Sequence, residues 1–93
     1  MLQVNEYFDG NVKSIGLNNV DGKSTVGVIA PGEYEFGTST KEYMHIVSGN
    51  LEALLPNTTE WKRFKKGEHF IVECCAKFKV RATSDVAYLC IYE

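Results

Sequence analysis

Phe36-Gly-Thr-Ser-Thr-Lys-Glu-Tyr-Met-His-Ile-Val-Ser-Gly49 reads as the end of one strand, a polar loop, a second strand and a Ser-Gly turn. Just before it, Glu33-Tyr-Glu-Phe36 alternates acid with aromatic, the period of a half-buried strand. One acid, Glu42, opens the second strand, which runs over Tyr43 to Val47. Upstream, Val12 to Leu17 and Ser24 to Ile29 flank the turn cluster Asn18-Asn-Val-Asp-Gly22. Asp-Gly between two apolar runs is a strong hairpin signal. Residues 1 to 10 form a lead-in segment. Downstream come strands over Leu51 to Leu55, Trp61 to Phe64, His69 to Glu73, Phe78 to Ala82 and Val86 to Tyr92. Turn signals recurring about every eight to twelve residues predict an all-β sandwich or barrel. Residues 68 to 93 contain no Gly or Pro, which permits a helix. Phe70, Ile71, Val72, Phe78, Val80, Val86, Tyr88, Ile91 and Tyr92 are strand formers, and neither caps nor a helical stripe are present.

The 93 residues predict one domain. Hydrophobic residues at 44% and charged residues at 24% are ordinary globular values. The formal net charge is −2. Lysines and arginines are scattered, with no run longer than Lys65-Lys66, so a surface that tracks nucleic acid is not expected. A small anion needs only one or two cations and some backbone N–H groups. Three cysteines, Cys74, Cys75 and Cys90, make no disulfide framework. No signal peptide and no membrane-length apolar run is visible, and the expected location is the cytoplasm.

The spacing Glu42-x6-Gly49 resembles the end of the first cupin motif, Gly-x5-His-x-His-x3,4-Glu-x6-Gly. In that register the two histidine positions fall on Phe36 and Thr38, and the opening glycine on Ala30. Counting the second motif, Gly-x5-Pro-x-Gly-x2-His-x3-Asn, from Gly67 places its histidine on Phe78 and its asparagine on Ala82. The resemblance implies a small jelly-roll β-barrel without its three histidine ligands. A catalytic metal centre takes about three protein ligands, so no metal is expected there. What remains is a barrel mouth with one acid between phenyl rings, with Phe36, Thr38, Glu42 and Phe78 expected to point inward.

Apolar walls with a few polar groups suit a flat organic ligand. An apolar setting disfavours the charged carboxylate, which would make Glu42 a general acid near neutral pH. Its position alone also fits a solvated strand-end carboxylate. The loop Gly37-Thr-Ser-Thr-Lys41 has a glycine, three hydroxyls and a cation. Ser39, Thr40 and Lys41 are the candidate phosphate ligands, although the same composition makes an ordinary polar turn. His45 and His69 lie on different predicted strands without ligand spacing, and both are read as facing outward with no metal role. Adjacent strand residues face opposite sides, so a Cys74–Cys75 disulfide is not expected. Cys90 reads as core.

The whole chain resembles a narrower family, the small pyrimidine/purine nucleoside phosphorylases of bacteria. The resemblance rests on Asn5-Glu-Tyr-Phe8, Gly10-x-Val-Lys-Ser-Ile-Gly16, Gly32-Glu-Tyr-Glu-Phe36 with Thr38, and Glu42-x-Met44. It continues through Ser48-Gly-x-Leu51, Leu54-Leu-Pro56, Trp61, Gly67, Phe70-x-Val72 and Phe78 to Tyr88-Leu-Cys-x-Tyr92. It implies phosphorolysis of purine and pyrimidine nucleosides to free base and pentose 1-phosphate, with phosphate as co-substrate and no cofactor. Tyr34, Phe36, Thr38, Met44 and Phe78 are then the expected substrate-binding residues, and Glu42 the catalytic one. A homodimer is expected, with Tyr7 and Phe8 at its contact. The alternatives are a non-catalytic cupin that binds a small ligand and, more remotely, a metal cupin in a different register.

Overall fold

The computed structural model describes all 93 residues, and they form ten strands and no helix. In chain order these are β1 (Val4–Tyr7), β2 (Val12–Asn19), β3 (Gly22–Ile29), β4 (Gly32–Gly37) and β5 (Glu42–Ser48). They continue with β6 (Asn50–Leu54), β7 (Lys62–Lys65), β8 (His69–Val72), β9 (Lys77–Ala82) and β10 (Val86–Tyr92). Nine match the expected segments to within a few residues. The tenth, β1, falls in the expected lead-in segment and pairs with β2 from Val4↔Ile15 to Tyr7↔Val12. Four residues around Asn5 and Glu6 carry no clean alternation, so only the partner strand defines β1.

Two antiparallel sheets result, with strand orders β1-β2-β3-β10-β5-β8 and β4-β9-β6-β7. No strand belongs to both, so hydrogen bonding does not close the expected barrel. The inner faces share one core. Val12, Ile29, Met44, Ile46, Phe70, Val72, Val86 and Cys90 come from the larger sheet, and Tyr34, Leu51, Ala53, Phe78, Val80 and Ala82 from the smaller. Alternation along each strand sends every second residue inward, as in β9, where Phe78, Val80 and Ala82 are buried between partly exposed neighbours.

The two outer faces differ. On the smaller sheet Glu33, Arg81, Glu52 and Arg63 follow one another across four strands in register. Arg81 bridges Glu52 at 3.1 Å and lies 4.0 Å over the Trp61 ring. On the larger sheet Val4, Ile15, Val26, Val28, Val47 and Ile71 are all exposed.

Gly49, the last residue of the opening stretch, turns β5 into β6 at φ 91°, and a Cβ there would stand 2.8 Å from the Asp85 carbonyl. The left-handed backbone and the close approach both call for glycine. No helix is long and apolar enough to cross a membrane.

Candidate active site

Between the sheets, at the end where β4, β5 and β10 meet, lies a cavity of about 320 Å³. Its aromatic wall comes from Phe36 and Phe78, direct partners on β4 and β9. Their rings stack at 5.8 Å with 29° between planes. Phe8 closes the mouth, 5.5 Å from Phe36 and edge-on to it. Tyr7, Ile29, Gly37 and Met44 complete the apolar lining, and Glu35 stands at the rim.

The opposite side is polar, and sheet register builds it. Asn5, Ser14, Gly27 and Tyr88 are consecutive neighbours across β1, β2, β3 and β10. The Asn5 amide donates to the Ser14 hydroxyl at 3.3 Å. The Tyr88 ring passes over Gly27, where a Cβ would be 2.5 Å from its Cζ. The next inward residue on β10 is Cys90, whose thiol donates to Glu42 Oε1 at 3.4 Å. Tyr92, the partner of Glu42 in register, shares a hydrogen bond of 3.1 Å with Thr25.

Burial raises all four of these ionisable groups, Glu42, Tyr88, Cys90 and Tyr92. Burial raises the Glu42 carboxyl above the ordinary 4.5, and the Cys90 hydrogen bond offsets only part of that. Burial, reinforced by the Glu42 charge, pushes the Cys90 thiol up to about 12. Burial likewise pushes the Tyr88 phenol up to about 12, with Ser14 pulling the other way. Tyr92 is also raised, chiefly by burial. The cavity therefore presents neutral O–H groups beside Glu42, an acid that keeps its proton more readily than usual and has the buried Cys90 thiol behind it.

Of the expected substrate residues, Phe36, Met44 and Phe78 line this cavity with Glu42. Tyr34 and Thr38 do not. Tyr34 is buried behind the wall, its hydroxyl donating to the Ala30 and Pro31 carbonyls at 2.9 and 3.0 Å, and its ring supports Phe8 at 4.9 Å. Thr38 faces inward but is taken up by backbone. Its hydroxyl donates to the Glu73 carbonyl at 2.7 Å and accepts from the Ala76 N–H at 3.0 Å. That clasp holds the turn between β8 and β9.

Cys74 and Cys75 occupy this turn rather than a strand, so the expectation of opposite faces does not apply. Both thiols are free and exposed, and Cys75 has φ 62°. The hydrogen bond with Cys75 raises the Cys74 thiol.

Ser39 and Thr40 line a neighbouring groove instead, together with Lys23, Ser24 and Thr25, and Tyr92 walls both spaces. Lys41 lines neither, and its ammonium sits 5.3 Å from the Tyr43 ring centre.

Sequence reasoning missed Tyr7, Phe8, Ser14, Tyr88, Cys90 and Tyr92 as site residues. Tyr7 and Phe8, expected at a subunit contact, stand at the cavity mouth. The available signal was the inward phase of β2 and β10, but which inward residues meet Glu42 depends on pairing across four strands. Nowhere do three or more His, Cys, Asp or Glu side chains gather as they would around a metal ion. At the cupin ligand positions the donors are one carboxylate and a threonine hydroxyl already engaged by backbone.

The fold and site define an all-β protein of two packed sheets with an aromatic pocket and a half-buried acid, Glu42, in its wall. Comparison with known proteins narrows this class. Residues 2–92 match the model of the pyrimidine/purine nucleoside phosphorylase family, and the chain belongs to that family. A pyrimidine/purine nucleoside phosphorylase of Tolumonas auensis is 54% identical over 93 residues, all of both chains. A solved protein of unknown function from Vibrio parahaemolyticus is 39% identical, covering 97% of this chain and 96% of its own, with a TM-score of 0.93. Far from these in sequence, Fe(II) HppE shares the fold at 8% identity and a TM-score of 0.82, over 99% of this chain and 56% of its own.

Proposed function

We propose that the protein is a nucleoside phosphorylase, a pentosyltransferase that uses inorganic phosphate to release the base of purine and pyrimidine nucleosides as pentose 1-phosphate forms. The observation that carries this reading is that the stacked Phe36–Phe78 wall and Glu42 line one cavity. Aromatic rings stack on either size of base without reading its edge. As the bond from the sugar carbon to the base nitrogen breaks, its electron pair goes to the base. Protonated Glu42 delivers a proton there, a phosphate oxygen bonds to the sugar carbon, and the proton lost by phosphate restores Glu42 through solvent. Tyr88 and Ser14 offer hydroxyls to the sugar.

Phosphate enters from the groove of Ser39 and Thr40, and Lys23 rather than Lys41 supplies its cation. No step requires a metal or organic cofactor, because phosphate is the nucleophile and Glu42 the acid. The strands complete a jelly roll of the cupin type, and residues 1–93 act as one domain. Its place is the cytoplasm, which its three free cysteines suit. Nucleosides and phosphate are its partners, with neither nucleic acid nor membrane. It works as a homodimer, joined through the apolar outer face of the larger sheet around Ile15, Val26 and Val28.

The test is to incubate pure protein with inosine or uridine, with and without phosphate, and with and without chelator. Base release that requires phosphate and survives chelation is expected. No release makes the protein a ligand-binding relative, and loss on chelation makes it a metal enzyme.

A further inference from the structure

Across the outer face of the larger sheet runs one row in register: Val4, Ile15, Val26, Leu89, His45 and His69, one residue from each strand. The last two are the only histidines in the chain. They are direct partners on β5 and the edge strand β8. The neighbouring Ile46 N–H donates to the Glu68 carbonyl at 2.9 Å. The histidines therefore occupy the non-hydrogen-bonded position, where partner Cα atoms approach to about 4.5 Å and side chains are closest. Their rings stack at 5.3 Å with 30° between planes. His69 is exposed and His45 partly so. Neither ring takes part in any of the protein's side-chain hydrogen bonds.

We propose that His45 and His69 form a two-imidazole site for a late first-row divalent cation, Ni²⁺ or Cu²⁺ foremost. Metal–nitrogen bonds of about 2.0–2.1 Å ask for two nitrogens within about 4 Å of each other. Rotation about the terminal side-chain torsion brings that within reach of rings whose centres stand 5.3 Å apart. Imidazole suits nickel, copper and zinc, whereas magnesium and calcium want oxygen. Leu89, beside His45 in the row, and Ile71, two residues beyond His69, supply no competing donor, so water completes the coordination. The site is independent of the cavity, because β5 sends Met44 and Ile46 inward and His45 outward.

The test is titration of the full chain with NiCl₂ by calorimetry, in a Cys74→Ser/Cys75→Ser background that removes competing thiols. One ion per chain is expected, with the imidazole C–H signals of both histidines broadened in the proton spectrum. Two preorganised ligands act with a high effective concentration, so His45→Asn or His69→Asn alone weakens binding roughly a hundredfold. Phosphorolysis without added nickel stays unchanged in both variants. Absence of a stoichiometric site, or a site that survives either substitution at full strength, overturns the proposal.

Discussion

Glu42 is only partly exposed, with the Cys90 thiol against one oxygen, and its ionised form is the disfavoured one. Two consequences follow from the sign of that shift. A carboxyl raised in the folded state binds its proton more tightly there than when unfolded. Stability is then fully present below the ordinary value of 4.5 and falls as pH rises through the raised folded value. Glu42→Gln removes the penalty, so its melting temperature should gain on wild type as pH rises from 4.5 through the raised folded value and level off beyond it. Scanning fluorimetry across that range checks it, and a constant difference would show that Glu42 titrates normally. For activity, the protonated form is the working one, so wild-type kcat/KM declines on the alkaline side, a limb absent in Glu42→Gln. Glu42, Phe36, Phe78 and Met44 were legible in the sequence because each has an inward phase on a strand and a place in a motif. Tyr34 and Thr38 share that phase but are consumed by backbone carbonyls, which phase alone does not reveal.

At the scale of elements, the polar floor depends on how β10 lies against β3. Tyr88 needs the space above Gly27, its partner in register. Gly27→Ala should push the ring aside and cost about 1–3 kcal/mol, as overpacking does. Chemical denaturation measures this, and a smaller loss in Gly16→Ala, where a Cβ meets nothing within 4 Å, is the comparison. If both cost the same, the tyrosine does not rely on that glycine. The strands and hairpins were readable from alternation and turn chemistry. The order β1-β2-β3-β10-β5-β8 was not, because β10 inserts between β3 and β5, distant in sequence from both, and such pairing leaves no local mark. The missed residues Ser14, Tyr88 and Cys90 all sit on strands whose neighbours that order decides. The same holds for His45 and His69, which only the β5–β8 pairing brings together.

The whole molecule is two-sided. Charges of alternating sign cover the outer face of the smaller sheet, while Val4, Ile15, Val26 and Val28 form an exposed apolar patch on that of the larger. An antiparallel sheet with water on one side normally alternates apolar with polar, and a contiguous exposed apolar face marks a contact. A chain this short also gains from burying more surface. Ile15→Lys with Val26→Glu should convert a dimer into a folded monomer in sedimentation experiments, and a wild type that is monomeric at micromolar concentration rules the contact out. The central claim, that phosphorolysis takes place in the aromatic cavity with Glu42 as its acid, is tested most directly by initial rates on inosine and uridine. Wild type, Glu42→Gln and Glu52→Gln are compared at saturating phosphate. Glu52 lies on the far face of the smaller sheet in a surface ion pair with Arg81, a kind of bridge worth about 0–1 kcal/mol, so its variant should match wild type. Losing general-acid help costs roughly 10²–10⁴ in rate, and Glu42→Gln should fall by that much while melting cooperatively. Wild-type rates in both variants would contradict the account.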